Sequence, residues 1–149
     1  MPTNVLNFPR DYYYANVVSP SNPAAGNPLI YSTTQRALVQ PNMVTFLFTS
    51  AVAVANRFVW VAMFDAFGNP MYQVFAPVPQ TASLAWTYYF IRDLGSAYQP
   101  TGSLVQMVSL PTDVATTVGG QILVGAVGIQ AADQISTALI SFRGWPTAL

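Results

Sequence analysis

The chain of 149 residues contains no cysteine, no histidine, no lysine and no glutamate. Each absence removes chemistry. Without cysteine there is no disulfide framework and no thiolate ligand, and without histidine as well the usual zinc, haem and iron–sulfur ligand sets cannot be assembled. Without lysine there is no Schiff-base amine and no phosphate-loop cation. Formal charge is confined to arginine and aspartate. It amounts to 7% of the residues, against about 25% in an ordinary soluble domain, and sums to zero. Scattered arginines balanced by aspartates leave no electrostatic footprint for nucleic acid. No cofactor, no metal and no nucleic-acid partner is expected.

Long apolar runs are missing too. The longest, from Met43 to Ala55, is interrupted by Thr45, Thr49 and Ser50 and stops at Asn56-Arg57. A membrane-spanning helix needs about 20 predominantly apolar residues, so no membrane partner is expected, although a membrane β-barrel leaves a weaker mark in each strand. The start, Met-Pro-Thr-Asn-Val, lacks a basic region followed by an apolar one, and a secretory leader is not expected.

Apolar residues make up 52% of the chain, with nine Phe, eight Tyr and three Trp. That is enough for one domain with a sizeable core. A surface with so little charge favours association, because net repulsion between copies is absent.

Residues 1–33 stand apart in composition. They hold Pro2, Pro9, Pro20, Pro23 and Pro28 and the run Tyr12-Tyr13-Tyr14. Proline at this density prevents regular helix and discourages a central strand, while the aromatics are unlike a solvated linker. The segment reads as an extended arm ahead of a domain over residues 34–149. Its aromatics dock on the chain's own domain or on a neighbouring copy, and Phe8, Arg10, Tyr12, Tyr13 and Tyr14 are the expected contacts between subunits.

From Arg36 onward, short β-type runs alternate with turn residues. They cover 36–40, 43–49, 58–64, 71–78, 84–91, 104–110, 121–129 and 135–143. Asn56, Asp65, Gly68, Asn69 and Asp133 mark the turns between them. In the run 58–64, Phe58, Trp60 and Phe64 share one side and Val59, Val61 and Met63 the other, so both faces of that strand are expected to be covered. No helical period of 3.6 stands out. The pattern predicts an all-β, antiparallel β-sandwich of about eight strands, jelly-roll-like, with an extended N-terminal arm.

Catalytic groups are few. A glycosidase needs two carboxylates facing one cleft, but Asp11, Asp65, Asp93, Asp113 and Asp133 are widely spaced and sit beside turn residues, where Asp bonds its own backbone. Serine and threonine have no histidine or lysine to act as base. Asp65 and Asn69 around Gly68 lack the alternating carboxylates of a calcium loop. Gly119-Gly120 and Gly125 to Gly128 lack the residues of a phosphate loop. Trp60 and Trp86 fall among apolar strand neighbours and read as core, leaving Trp145 as the open case. The residues point to a non-enzymatic chain.

A set of strand-edge residues carries a resemblance. Ala55-Asn56-Arg57 opens an apolar strand that ends in Asp65-Ala66-Phe67-Gly68-Asn69. Gln80-Thr81-Ala82-Ser83 precedes an aromatic strand, and Leu110-Pro111 precedes Gly119-Gly120-Gln121-Ile122. Ile129-Gln130-Ala131-Ala132-Asp133-Gln134 follows. Across residues 36 to 145 this order resembles small virion structural proteins of tailed bacteriophages. The resemblance implies a place on the phage particle. The favoured one is a capsid cement (decoration) protein on the capsid exterior, bound to the major capsid protein and to neighbouring copies of itself, with a trimer favoured. A head–tail connector, baseplate or tail-fibre adaptor is the alternative. A carbohydrate-binding β-sandwich module is the further one.

Overall fold

The computed structural model describes residues 14–34, 37–95, 104–112 and 114–146, and all regular structure among them is β. Nine strands follow in order: β1 (Tyr14–Val18), β2 (Leu29–Ser32), β3 (Ala37–Thr49), β4 (Phe58–Phe64), β5 (Pro70–Phe75), β6 (Ala85–Arg92), β7 (Val105–Leu110), β8 (Gln121–Val127) and β9 (Gln134–Pro146). They form a five-stranded sheet of order β1-β9-β3-β6-β7 and a four-stranded sheet of order β2-β8-β4-β5.

The pairing has a simple logic. β1 pairs with β9, β2 with β8, β3 with β6 and β4 with β5, all antiparallel. The chain is therefore one long hairpin whose tip is the β4–β5 turn. Folding that hairpin over itself brings β9 against β3 and β8 against β4, again antiparallel. Eight strands wound in this way are a jelly roll. β7 is the addition: it lies parallel to β6 on the edge of the larger sheet.

Alternation along the strands builds the core. Val44, Phe46 and Phe48 of β3, Tyr88 and Phe90 of β6, and Ile135, Ile140 and Phe142 of β9 face Val59, Val61 and Met63 of β4 and Ile122 and Val124 of β8. Phe46 stacks between Tyr88 and Phe90, at 5.4 and 6.0 Å between ring centres.

Two features depart from the sequence expectation. The runs 36–40 and 43–49 join into the single strand β3, because a bulge between Pro41 and Met43 absorbs the proline that lacks a ladder donor. The boundary drawn at residue 33 does not separate an arm from a sandwich. β1 and β2 each add a strand to one sheet, and Leu29 is buried in the core. The chain between them is also tied down: Asn22 Oδ1 accepts from Thr137 N and the Pro23 carbonyl accepts from Gln134 Nε2. Prolines at 20, 23 and 28 fall outside β1 and β2, so they punctuate the strands without breaking them.

Candidate functional site

Several buried polar side chains of the sandwich converge at one end. Arg57 stands immediately before β4 and is fully buried, and Asp133, immediately before β9, is only 1% exposed. Arg57 Nε donates to Asp133 Oδ2 and Nη2 to Oδ1, both at 3.0 Å, the two-pronged geometry that suits a planar guanidinium. The remaining capacity is also used. Nη1 donates to the Ala55 carbonyl at 2.7 Å, and the carboxylate accepts from Ala51 N and Gln130 N at 2.7 Å each. Burial alone pushes the Asp133 carboxyl upward. The Arg57 hydrogen bonds, the two backbone donors and the Arg57 charge outweigh it and hold the group below the ordinary carboxylate value.

The network continues through the backbone. Arg57 and Gln80 exchange both main-chain hydrogen bonds, at 2.9 and 3.0 Å. The Gln80 amide donates to the carbonyls of Phe48 and Leu84 and accepts from Tyr88 Oη at 3.0 Å. Ser50 Oγ donates to the Thr81 carbonyl, and Gln106, also fully buried, donates to the Val78 carbonyl. Burial pushes the Tyr88 hydroxyl well above its usual value. The clasp thus joins the β3–β4, β5–β6 and β8–β9 loops. Its polar groups are turned inward onto one another.

Most turn residues expected from the sequence have local roles. Asp65 Oδ1 accepts from Phe67 N and Asn69 N, Oδ2 accepts from Asn69 Nδ2, and Gly68, at φ +83°, completes the turn. These bonds, led by Asn69, lower the Asp65 carboxyl from its ordinary value. Asn56 is exposed beside Arg57. Asp133 bonds its own turn through Gln130 N, but it also reaches Arg57 across the fold. The clasp partners Arg57, Gln80, Tyr88 and Gln106 were not singled out as site residues. The available signal was an arginine between two apolar runs, in Val54-Ala55-Asn56-Arg57-Phe58-Val59, where a solvated charge is out of place.

Of the expected arm contacts, Phe8, Arg10, Tyr12 and Tyr13 lie outside the described residues. Tyr14 opens β1, its backbone opposite Gly144.

The second feature is the outer face of the four-stranded sheet. β2, β4, β5 and β8 contain no Arg or Asp at all. With Val59, Val61 and Met63 inside, Phe58, Trp60, Ala62 and Phe64 point outward. Register places Ile30, Leu123, Ala62 and Gln73 in one row across all four strands. The next row sets Trp60 between Gly125 and Phe75, and the next Phe58 beside Val127. The sequence pattern had both faces of β4 covered. Within this chain the inner one is, and the outer one only in part: Ala62 is buried, Trp60 and Phe64 are half-buried and Phe58 is exposed. Phe58, Phe75 and Ile30 are 43%, 44% and 55% exposed. Trp60, expected in the core, lies on this outer face. Trp86 does pack against the core, and the Arg143 guanidinium lies 4.9 Å above the half-buried Trp145 ring.

Gly125 explains how Trp60 lies flat. A Cβ at Gly125 would sit 2.6 Å from Trp60 Cζ2, so the indole occupies the space a side chain would take. Gly125→Ala is expected to lift the indole off the sheet. Tryptophan emission should shift to the red and stability fall by about 1–3 kcal/mol. A Trp60→Phe background, in which the shift disappears, identifies the source.

Among the described residues no group of three or more Asp stands close enough to hold a metal ion, and no helix is long and apolar enough to cross a membrane. Asp133 stands at the opposite end of β4 from Asp65, roughly 23 Å away for seven strand residues. That is beyond the reach of a glycosidase carboxylate pair. No protein-family model, no curated protein and no solved structure matches the chain.

Proposed function

We propose that the chain is a non-enzymatic structural protein of a bacteriophage virion, a capsid cement protein that binds the outside of the major capsid shell and stabilises it as an oligomer. The observation that carries this reading is the division of labour in the fold. Among the described residues the one buried ion pair holds loops together, while a sheet face without charge leaves Ile30, Phe58, Phe75 and Val127 exposed. An enzyme shows the reverse, with polar groups converging on a cleft. The strand-edge residues that resemble phage virion proteins support the same reading. Arg57, Gln80 and Asp133, drawn from three separate segments of that resemblance, meet in the clasp. The jelly roll is a fold of viral coat and lectin domains, which supports the class by analogy.

The mechanism is adhesion. Apolar area removed from water at subunit junctions contributes about 25 cal/mol per Å² before association costs. Permanent assemblies use such core-like surfaces.

Quantitative mass spectrometry of purified particles tests the reading. Copy number in fixed proportion to the major capsid protein, with density on the capsid exterior by electron microscopy, is the expected result. A single ring's worth of copies would move the protein to a connector or tail position, and absence from particles would remove the virion reading.

A further inference from the structure

The outer face of the four-stranded sheet is the strongest unassigned feature of the molecule. We propose that it is the surface through which copies of this chain associate with one another. The inference rests on the oligomeric part of the function proposed above and is independent of the virion part.

Size comes first. Four strands about 4.8 Å apart, with four, seven, six and seven residues in β2, β4, β5 and β8, give a footprint of roughly 19 by 20 Å. A contiguous apolar patch of that size matches the largest patch of a typical monomer, about 300–600 Å², which is often functional. At the clasp end, ahead of β4, the β3–β4 loop leaves Val52 and Val54 83% and 98% exposed. That loop is rigidly presented. Arg57 Nη1 bonds the Ala55 carbonyl, and Asp133 bonds Ala51 N. Side-chain relief adds to that footprint, against the roughly 800 Å² per partner that standard stable interfaces bury and the smaller areas of weaker ones.

Charge then selects the occupant. The face offers only Ser32, Gln73 and Gln121 as polar groups. A charged partner would lose hydration there with little to replace it. A second copy brings an equally uncharged, equally flat surface, and brings it at matching concentration. Trp60, lowered onto Gly125, keeps the face level enough for sheets to stack at about 10 Å. In a two-fold arrangement the face meets itself; in a three-fold ring it meets another surface of the next copy. Either closed order buries it.

Sedimentation velocity of the purified full-length chain, without capsids, tests the proposal. A closed oligomer is expected at micromolar concentration. Ile30→Asp and Phe75→Asp lie on the two opposite edge strands, and each should weaken association at least about 30-fold, while keeping the wild-type far-ultraviolet circular dichroism. Leu139→Asp, on the outer face of the other sheet, should leave the mass unchanged. A monomeric wild type overturns the proposal. So does an oligomer indifferent to both Ile30→Asp and Phe75→Asp, or one equally sensitive to Leu139→Asp. A monomer that still decorates particles and loses binding with Phe75→Asp would assign the face to the capsid instead. An oligomer absent from particles would remove the virion reading and leave this interface standing.

Discussion

Asp133→Ala is expected to lower the unfolding free energy by about 3–5 kcal/mol, because it leaves the Arg57 guanidinium buried without its counter-charge. Three losses coincide at one side chain. The two-pronged ion pair disappears, and Ala51 N and Gln130 N lose their acceptor. Urea denaturation should show a lower midpoint with an unchanged slope, since the surface exposed on unfolding is the same. The double replacement Arg57→Met with Asp133→Leu separates the terms. It removes both charges and should recover part of the loss, but not all of it, because the two backbone donors stay unpaired. A midpoint for Asp133→Ala within error of the wild type would show that the clasp is dispensable.

The same carboxylate sets an acid limb. Its folded value lies below the unfolded one, so the folded state favours the ionised form. Its contribution is fully present above the unfolded value of about 4 and is lost as pH falls through the folded value. Asp133→Asn, which cannot titrate, should flatten that part of the stability profile relative to the wild type.

The fold class was legible because alternation survives in the strands buried on one side. Val44, Phe46 and Phe48 read as one face and are one face. The winding was not legible. Which strand pairs with which depends on residues far apart, as in β1 with β9, and no local periodicity encodes that. β1 and β2 were missed for a local reason. They are only five and four residues long and lie among prolines that read as breakers. Asp133 was legible as a turn residue from its neighbours, but its partner Arg57 lies 76 positions away. The outer face was half legible: both sides of β4 looked apolar, and only the register with β5 and β8 shows that Trp60, Phe75, Phe58 and Val127 make one surface.

The scarcity of charge therefore has two separate physical sources. Inside, Arg57 and Asp133 neutralise each other in a site where neither could stand alone. Outside, charge is excluded from one entire sheet, while Arg92 and Arg143 both belong to the other. Exposed apolar residues occur on both sheets, Val17, Leu38 and Leu139 on the five-stranded one, but only the strands of the four-stranded sheet carry no charge.

Deletion of residues 1–33 is expected to abolish cooperative unfolding altogether, whereas deletion of residues 1–13 is not. The longer deletion removes an edge strand from each sheet. It takes away the pairing of β1 with β9, Tyr14–Val18 opposite Gly144–Ile140, the pairing of β2 with β8, and the buried Leu29. Truncating one buried leucine costs about 2–5 kcal/mol, and the whole stability of a domain is about 5–15 kcal/mol. Loss of nine paired residues on top of Leu29 exceeds what the remaining sheets can carry, and it strips new edges open for aggregation. The shorter deletion leaves every described strand in place, so its thermal transition should stay sharp. It also removes Phe8, Arg10, Tyr12 and Tyr13, and under the cement reading it should weaken particle binding without unfolding the sandwich. Calorimetry and particle co-sedimentation on both deletions decide the matter. A sharp transition after the longer deletion would mean that β1 and β2 are accessories of the fold. Unchanged decoration after the shorter one would take the subunit contacts away from the arm.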